Sequence, residues 1–397
     1  MMALPANTAP IGGDASSTRK FYTITAALRE TYDDNVNTAN TNPQASFETM
    51  LSPSILIDFP REDGDFSARY TFDITYYDME SDNGGGGTNT NSNNNNNIKN
   101  GSIEYTHEFV AQYSHSFSNR FNFNVAEQFR YFTEPSILES TGTLYRSGNY
   151  VTNILNGTVN AQWTPVFGTT STYSNTVVRY DDANVALAQN SIENTGSQLF
   201  NFAILPKVNG GFGGIVDDIT YDSAQRGYIS YTAFTGAQWQ VLPSMSVVAR
   251  GGASYTEPVA AKAAISPYAA ASFNWSLGAR SELTFNYAHE VTPTDQIGAS
   301  GQTSDRFSSN FKYDITTSIS AHLQGIFTRS DISQSLITST ALSSYNENDY
   351  ALDTGLTYRY NSYLSFDTGI LLSGVSSELD ARSYTRNEAY VGVRGTY

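Results

Sequence analysis

The sequence predicts an all-β fold, a single antiparallel up-and-down transmembrane β-barrel of about 18 strands, with roughly 16–20 allowed. Apolar and polar residues alternate along most of the chain, as they do in strands with two different faces. Short and long connections alternate from one end to the other. No run of 18 or more apolar residues is present, so no transmembrane helix is expected.

The alternation is clearest in residues 65–78. One face of this segment is apolar: Phe66, Ala68, Tyr70, Phe72, Ile74 and Tyr76. The other face is polar: Ser67, Arg69, Thr71, Asp73 and Thr75. The same period of two predicts strands near 20–32, 47–59, 65–78, 101–114, 120–132, 149–163, 169–180, 194–205, 210–221, 228–241, 245–255, 265–277, 281–291, 304–315, 318–330, 348–360, 363–375 and 384–397.

The connections between these strands are of two kinds. Every second connection is tight: 60–64, 115–119, 164–168, 206–209, 242–244, 278–280, 316–317 and 361–362. The others are mostly long and polar: 33–46, 79–100, 133–148, 181–193, 222–227, 256–264, 292–303, 331–347 and 376–383. This strict alternation is typical of a membrane barrel, which has short turns at one end and longer loops at the other.

Composition excludes several classes of protein. The 397 residues include 27 Tyr, 22 Phe and 3 Trp, and only 15% are charged, against about 25% in an average soluble domain. Cys is absent, which excludes disulfides and zinc–thiolate sites. The formal net charge of −16 without a basic cluster argues against nucleic acid as a partner.

Tyrosines mark the predicted loop-side ends of the strands: Tyr32, Tyr76, Tyr77, Tyr131, Tyr180 and Tyr221. Four of the six are followed directly by Asp. An amphipathic ring beside a charge in water is what an interfacial aromatic girdle requires, so these tyrosines are predicted to face the membrane surface.

The ends of the chain and one connection fall outside the strand pattern. Residues 1–18 are predicted to be a flexible periplasmic tail, and 19–397 the barrel. The Asn/Gly-rich segment 79–100 is predicted to be an extracellular loop. The first residues lack the basic and apolar regions of a signal peptide. The chain is therefore either intracellular or an exported protein whose signal has been removed, and the barrel pattern favours the second.

Residues of the last strand carry a resemblance to a known group. The alternating Val391, Val393, Gly395 and Tyr397 resemble the C-terminal assembly signal of Gram-negative outer-membrane barrels, which the barrel-assembly machinery reads. Residues 29–36 and the turn 205–207 are similar to the "putative β-barrel porin" group of outer-membrane proteins. The resemblance implies a bacterial outer-membrane location, with the lipid bilayer, lipopolysaccharide and the assembly machinery as partners.

The polar strand faces predict the lining of a lumen. Ten residues are candidates: Arg69, Asp73, Glu104, Glu108, Arg130, Arg250, Lys312, Arg359, Asp367 and Arg394. The wall is predicted to be nearly neutral, because Glu282, Asp314, Asp353, Glu388, Arg29 and Arg306 complete a set of eight acidic and eight basic residues. The excess acids are assigned to the connections, and include Asp33, Asp34, Asp181, Asp217, Glu347 and Asp349.

These patterns favour a passive porin-like channel for small polar solutes or ions. Two alternatives stay open: an outer-membrane component of exopolysaccharide export, which some members of the resembling group suggest, and a closed structural or adhesive barrel that acts through its loops. No cofactor is expected. No catalytic residue is expected either, because the neighbours His289 and Glu290 point to opposite faces of a strand and cannot act as a pair. A metal site and a homo-oligomer are left open.

Overall fold

A computed structural model describes residues 21–79, 101–133, 137–138, 148–223, 225–332, 336 and 343–397. The predicted tail 1–18 and nearly all of the predicted loop 79–100 lie outside these residues, so the proposed division of the chain at residue 19 stays a prediction.

The described chain is built almost entirely of strands. The 18 strands are β1 Tyr22–Asp33, β2 Ser46–Pro60, β3 Gly64–Met79, β4 Ile103–Ser118, β5 Phe121–Phe132, β6 Tyr150–Thr164, β7 Phe167–Tyr180, β8 Ser191–Leu205, β9 Val208–Tyr221, β10 Gly227–Leu242, β11 Met245–Pro258, β12 Ala264–Ser276, β13 Ser281–Thr292, β14 Gln302–Asp314, β15 Ile319–Ile332, β16 Tyr345–Arg359, β17 Leu364–Ser377 and β18 Tyr384–Thr396. A helix α1, Ala183–Gln189, follows β7, and a 3-10 helix, Asp380–Arg382, precedes β18. Neither helix in the described ranges has the length and hydropathy that a membrane crossing requires.

Each strand pairs antiparallel with the next one in sequence, and β1 also pairs with β18. The sheet is therefore a closed barrel, which confirms the predicted fold class and strand number. At the closing seam the backbones of Ile24 and Tyr397 exchange two hydrogen bonds, of 3.1 and 2.8 Å. Closure leaves no strand edge with unpaired N–H and C=O groups, which a hydrocarbon environment would not tolerate.

The two ends of the barrel differ as the sequence predicted. Eight tight connections of two to four residues lie at one end, here called the turn side. The longer connections, with α1 and the 3-10 helix, lie at the other end, here called the loop side. Both ends of the described chain, Phe21 and Tyr397, are on the turn side.

The outer face carries the exposed apolar side chains. Ile24, Leu28 and Tyr32 of β1 are 39–49% exposed, and they alternate with Arg29 and Asp33 on the inner face. Exposed apolar side chains in this alternation form the kind of apolar belt that contact with lipid requires. Bulky side chains such as Trp163 and Trp239 are exposed close to the turns, where the belt ends.

Half of the predicted girdle tyrosines are wrongly placed. Tyr32, Tyr76 and Tyr131 lie on the outer face. Tyr77, Tyr180 and Tyr221 have the opposite parity and point inward, where the Tyr77 hydroxyl approaches Glu104 at 3.3 Å. Inward and outward positions alternate along a strand, and some strands end on an inward position while others end on an outward one. A Tyr–Asp pair at a strand end therefore does not show whether the tyrosine faces lipid or the lumen.

Candidate functional site

All ten predicted lumen-lining residues lie on the inner face of the barrel by ladder register. Residues directly opposite each other on paired strands share a face. Glu108 lies opposite Arg130, Arg69 opposite Val110, and Arg359 opposite Ser365, all on the inner face. The remaining members of the set have the same parity: Asp73, Glu104, Arg250, Lys312, Asp367 and Arg394.

Several of these residues form ion pairs across neighbouring strands. Glu108 of β4 accepts from Arg69 at 3.2 Å and from Arg130 at 2.7 Å, so one carboxylate neutralises part of two guanidinium charges. Arg29 bonds Asp367 at 3.0 Å and lies over the ring of Tyr390. This ion pair joins β1 to β17 across the strand between them, β18. A Cβ built on Gly392 of β18 would lie only 2.8 Å from the Asp367 carboxylate. The glycine therefore leaves the space that the ion pair occupies.

Basic side chains gather at the turn side of the inner wall. Lys312, Arg359 and Arg394, together with His322, border a recess of about 410 Å³. Arg359, Ser365 and Arg394 form one cross-strand row. Within the described ranges Lys312, Arg359 and Arg394 make no ion pair, whereas His322 approaches Asp353 at 3.4 Å. Their positive charge is therefore turned towards the solvent of the recess.

Among the described residues, one connection crosses the loop side: residues 293–301 between β13 and β14, here called the lid. Thr294, Ala299 and Ser300 of the lid are at most 1% exposed. Gly298 has a φ of 99°, a conformation that glycine adopts without strain, and it turns the lid back towards β14. Ala299 packs with Ile332 and Tyr345 in one of the few buried apolar clusters of the described chain.

Arg226, in the connection before β10, fastens one side of the lid. Its guanidinium donates to the carbonyls of Thr294 at 2.6 Å and Ala299 at 3.1 Å, and also to the Ala188 carbonyl at the end of α1. The ring of Tyr221 lies 4.0 Å from the guanidinium carbon. Burial lowers the pKa of Arg226, and hydrogen bonds to carbonyl oxygens compensate for the lost hydration of its charge.

Arg382, in the 3-10 helix before β18, fastens the other side. It holds Asp295 of the lid through two bonds of 3.0 Å and Glu347 of β16 through bonds of 2.6 and 3.0 Å. The side chains of Asp295 and Glu347 are only 6% and 2% exposed. Burial opposes the charged form of Arg382, but the two carboxylates outweigh it and raise the pKa of the guanidinium above its usual range.

These contacts join three well-separated points of the barrel rim. Six strands, β8–β13, separate α1 from the lid, and four strands, β14–β17, separate the lid from the 3-10 helix. The lid therefore lies across the loop-side opening instead of along its edge. A barrel of 16–18 strands encloses an aqueous channel unless loops fill it. Within the part of the chain that the structure describes, the lid narrows this opening.

The sequence missed the residues that hold the lid: Arg226, Asp295 and Arg382. The only signal was that each arginine is the single basic residue of a polar connection, which is too common to identify a site. The assignment of the excess acids to the connections was wrong for Asp33 and Glu347 and also for Asp217 and Asp349. These residues stay in the β ladders and point inward, and Asp33, fully buried, pairs with Arg386 at 2.7 Å.

His289 and Glu290 lie on opposite faces, as their adjacency predicts. The Nδ1 atom of His289 lies 2.8 Å from Asp305 on the outer face, and Asp305 also accepts from the Tyr287 hydroxyl at 2.8 Å. Glu290 points inward beneath the lid. In the described ranges no group of three or more His, Asp or Glu side chains is arranged to hold a metal ion.

These features define a class: a closed membrane-type β-barrel with an apolar outer belt, a charged inner wall and a lid at one end. The family model described as "Putative beta-barrel porin 2" matches residues 218–397, from the end of β9 to the end of the chain. This match confirms the resemblance to β-barrel porins that the sequence predicted. No curated protein matches the chain.

The chain is also similar to solved structures of outer-membrane proteins. Two are from Pseudomonas aeruginosa: opdK (9% identity, TM-score 0.47, covering 95% of this chain and 99% of that one) and OccK2, also called OpdF (9%, 0.47, 94% and 97%). A third is a BenF-like porin from Pseudomonas fluorescens Pf-5 (10%, 0.44, 95% and 99%).

Proposed function

We propose that this protein is a porin-like channel of the Gram-negative outer membrane, through which small polar solutes or ions diffuse passively. The observation that carries the proposal is the closed 18-strand barrel whose inner wall is charged while its outer belt is apolar. The family match to a β-barrel porin over residues 218–397 supports it. The lipid bilayer and lipopolysaccharide would then surround the outer belt.

In this proposal the ten inward residues line the path and the lid is its constriction. Solutes would enter at the loop side past the lid, where the inner wall is rich in carboxylates such as Asp217 and Asp349. They would leave at the turn side past the recess of Lys312, Arg359 and Arg394. Acidic groups at a narrow entrance concentrate cations there, which favours a weak cation preference.

Purified protein in a planar lipid bilayer tests this function. We expect stepwise currents of small unitary conductance, because the lid obstructs the opening, with a reversal potential in a salt gradient that indicates weak cation preference. Detergent alone and heat-denatured protein are the controls. Absence of current at every applied potential, from protein shown to be a folded barrel, would contradict the channel and favour a closed structural barrel.

We also propose that the outward residues Val391, Val393, Gly395 and Tyr397 of β18 act as the signal for the barrel-assembly machinery. Replacing Tyr397 with Ala should lower the amount of folded barrel in outer membranes several-fold. The side chain is 64% exposed, and the seam bonds to Ile24 use only the backbone of Tyr397. Heat-modifiable mobility in gels measures the folded fraction.

Tyr363 provides a matched control, because it is also 64% exposed and lies on the turn side. Tyr363→Ala should assemble as the unmodified protein does. Equal amounts of folded barrel for the Tyr397 and Tyr363 variants would show that Tyr397 contributes no more than another exposed tyrosine on the turn side.

A further inference from the structure

Hydrogen-bonding side chains occupy the outer face of β5–β8, from mid-strand towards the loop side. Glu127 lies in the middle of β5, in phase with the outward Phe129 and opposite Leu155 of β6, which is 38% exposed. Asn153 donates to Glu127 at 3.2 Å, and the buried Oδ1 of Asn153 has no hydrogen-bond partner. A carboxylate thus lies in the middle of a strand, on the face turned towards lipid.

The polar set continues on β7 and β8. Asn175 and the outward Tyr173, which is 49% exposed, both donate to Asn194, at 2.9 and 2.8 Å. Gln198, at the middle of β8, accepts from Ser171 at 2.5 Å. The four strands together carry a carboxylate and four amides on one continuous outer surface, here called the polar face: Glu127, Asn153, Asn175, Asn194 and Gln198.

The opposite side of the barrel is different. At mid-strand β16 and β17 present Leu352 and Ile370, which are 39% and 44% exposed. Polar groups facing hydrocarbon are costly because lipid chains offer no hydrogen-bond partner. They occur in membrane proteins mainly where another protein surface covers them. The polar face is therefore better suited to a protein partner than to lipid.

We infer that the polar face binds the polar face of a second copy of this chain. Amide side chains both donate and accept, so such a surface is complementary to itself. A two-fold axis along the membrane normal between β6 and β7 would set β5 of one copy against β8 of the other. Glu127, at the middle of its strand, would then meet the Gln198 amide, also at the middle of its strand.

Glycines on the outer face allow close approach at this axis. Gly157 of β6 and Gly196 of β8 lie on the outer face, on the two strands that pair with β7. A Cβ built on Gly196 would have no atom within 4 Å. Small residues let the backbones of membrane proteins come close enough for side chains to bond across the contact. This inference depends on the barrel spanning a membrane and is independent of whether it conducts.

Disulfide trapping in outer membranes tests the contact, because the chain has no cysteine of its own. Leu155→Cys, beside the proposed axis, should give a band at twice the monomer mass after mild oxidation. Leu352→Cys, equally exposed on β16, is the matched control and should stay monomeric. Equal trapping of both variants, trapping of neither, or a Leu155→Cys adduct with a different protein would each overturn the inference.

A second variant tests the polar groups themselves. Glu127→Leu combined with Gln198→Leu, in the Leu155→Cys background, should lose most of the trapped dimer while the barrel stays folded by heat-modifiable mobility. Leucine suits a lipid-facing position, so folding is expected to survive. Thr354→Leu, on the outer face of β16, should leave the dimer unchanged in the same background. An undiminished dimer in the double variant would show that these two side chains do not form the contact.

Discussion

Replacing Arg382 with Met should release the lid and raise the unitary conductance. The substitution would leave the carboxylates of Asp295 and Glu347 buried without their guanidinium, and breaking one partner of a buried ion pair costs about 3–5 kcal/mol. A bias of that size shifts an open–closed equilibrium on the order of a hundredfold or more. Movement of the lid exposes Asp295 to water and relieves the penalty. Single-channel recording in planar bilayers measures the change.

Arg386 supplies the matched control for this experiment. Its side chain is 17% exposed, close to the 20% of Arg382, but its ion pairs are with Asp33, Glu388 and Glu48 around the β1–β18 seam. Arg386→Met should therefore lower thermal stability and leave the conductance unchanged. Unaltered conductance in Arg382→Met, or an equal rise in both variants, would mean that the lid does not limit the current.

The sequence was sufficient for the barrel because the barrel is built from local repeats. A strand with a period of two and a tight turn such as 243–244 can each be recognised within a few residues, and sequential antiparallel pairing follows from short connections. The inward set from Arg69 to Arg394 followed from the same alternation. Closure of β1 on β18 required only the additional knowledge that a membrane sheet cannot leave edges.

The lid could not be predicted because its contacts are distant in sequence. Arg226 bonds Thr294 across 68 residues, and Arg382 bonds Asp295 across 87. Residues 293–301 read only as a polar connection with Pro and Gly, like several others in the chain. Which loop folds over the opening depends on side chains that meet only after the barrel has closed.

The polar face illustrates a second limit. Alternation separates apolar from polar positions, and Glu127 and Asn175 interrupt the apolar set of their strands. Only the ladder register shows that they share the outer face with Leu155 and Tyr173. A single polar residue in an apolar set is uninformative, whereas several on adjacent strands define a surface.

Neutralising the turn-side recess should increase the preference of the channel for cations. In the variant Lys312→Gln, Arg359→Gln, Arg394→Gln we expect the cation-to-anion permeability ratio to rise about three- to tenfold, since charges near a confined path produce potentials of several kT. Arg69 and Arg130 share the carboxylate of Glu108, whereas the three recess cations make no ion pair within the described ranges. The reversal potential across a tenfold KCl gradient measures the ratio.

The salt dependence of this effect separates charge from shape. The Debye length is about 30 Å at 0.01 M and about 3 Å at 1 M ionic strength, so the change should be largest in dilute salt and nearly absent in concentrated salt. The charge-conserving variant Lys312→Arg, Arg359→Lys, Arg394→Lys should keep the original selectivity. A shift that persists in 1 M KCl, or that also appears in the charge-conserving variant, would assign the effect to a change in the recess walls. The positive charge of the recess would then not set the selectivity.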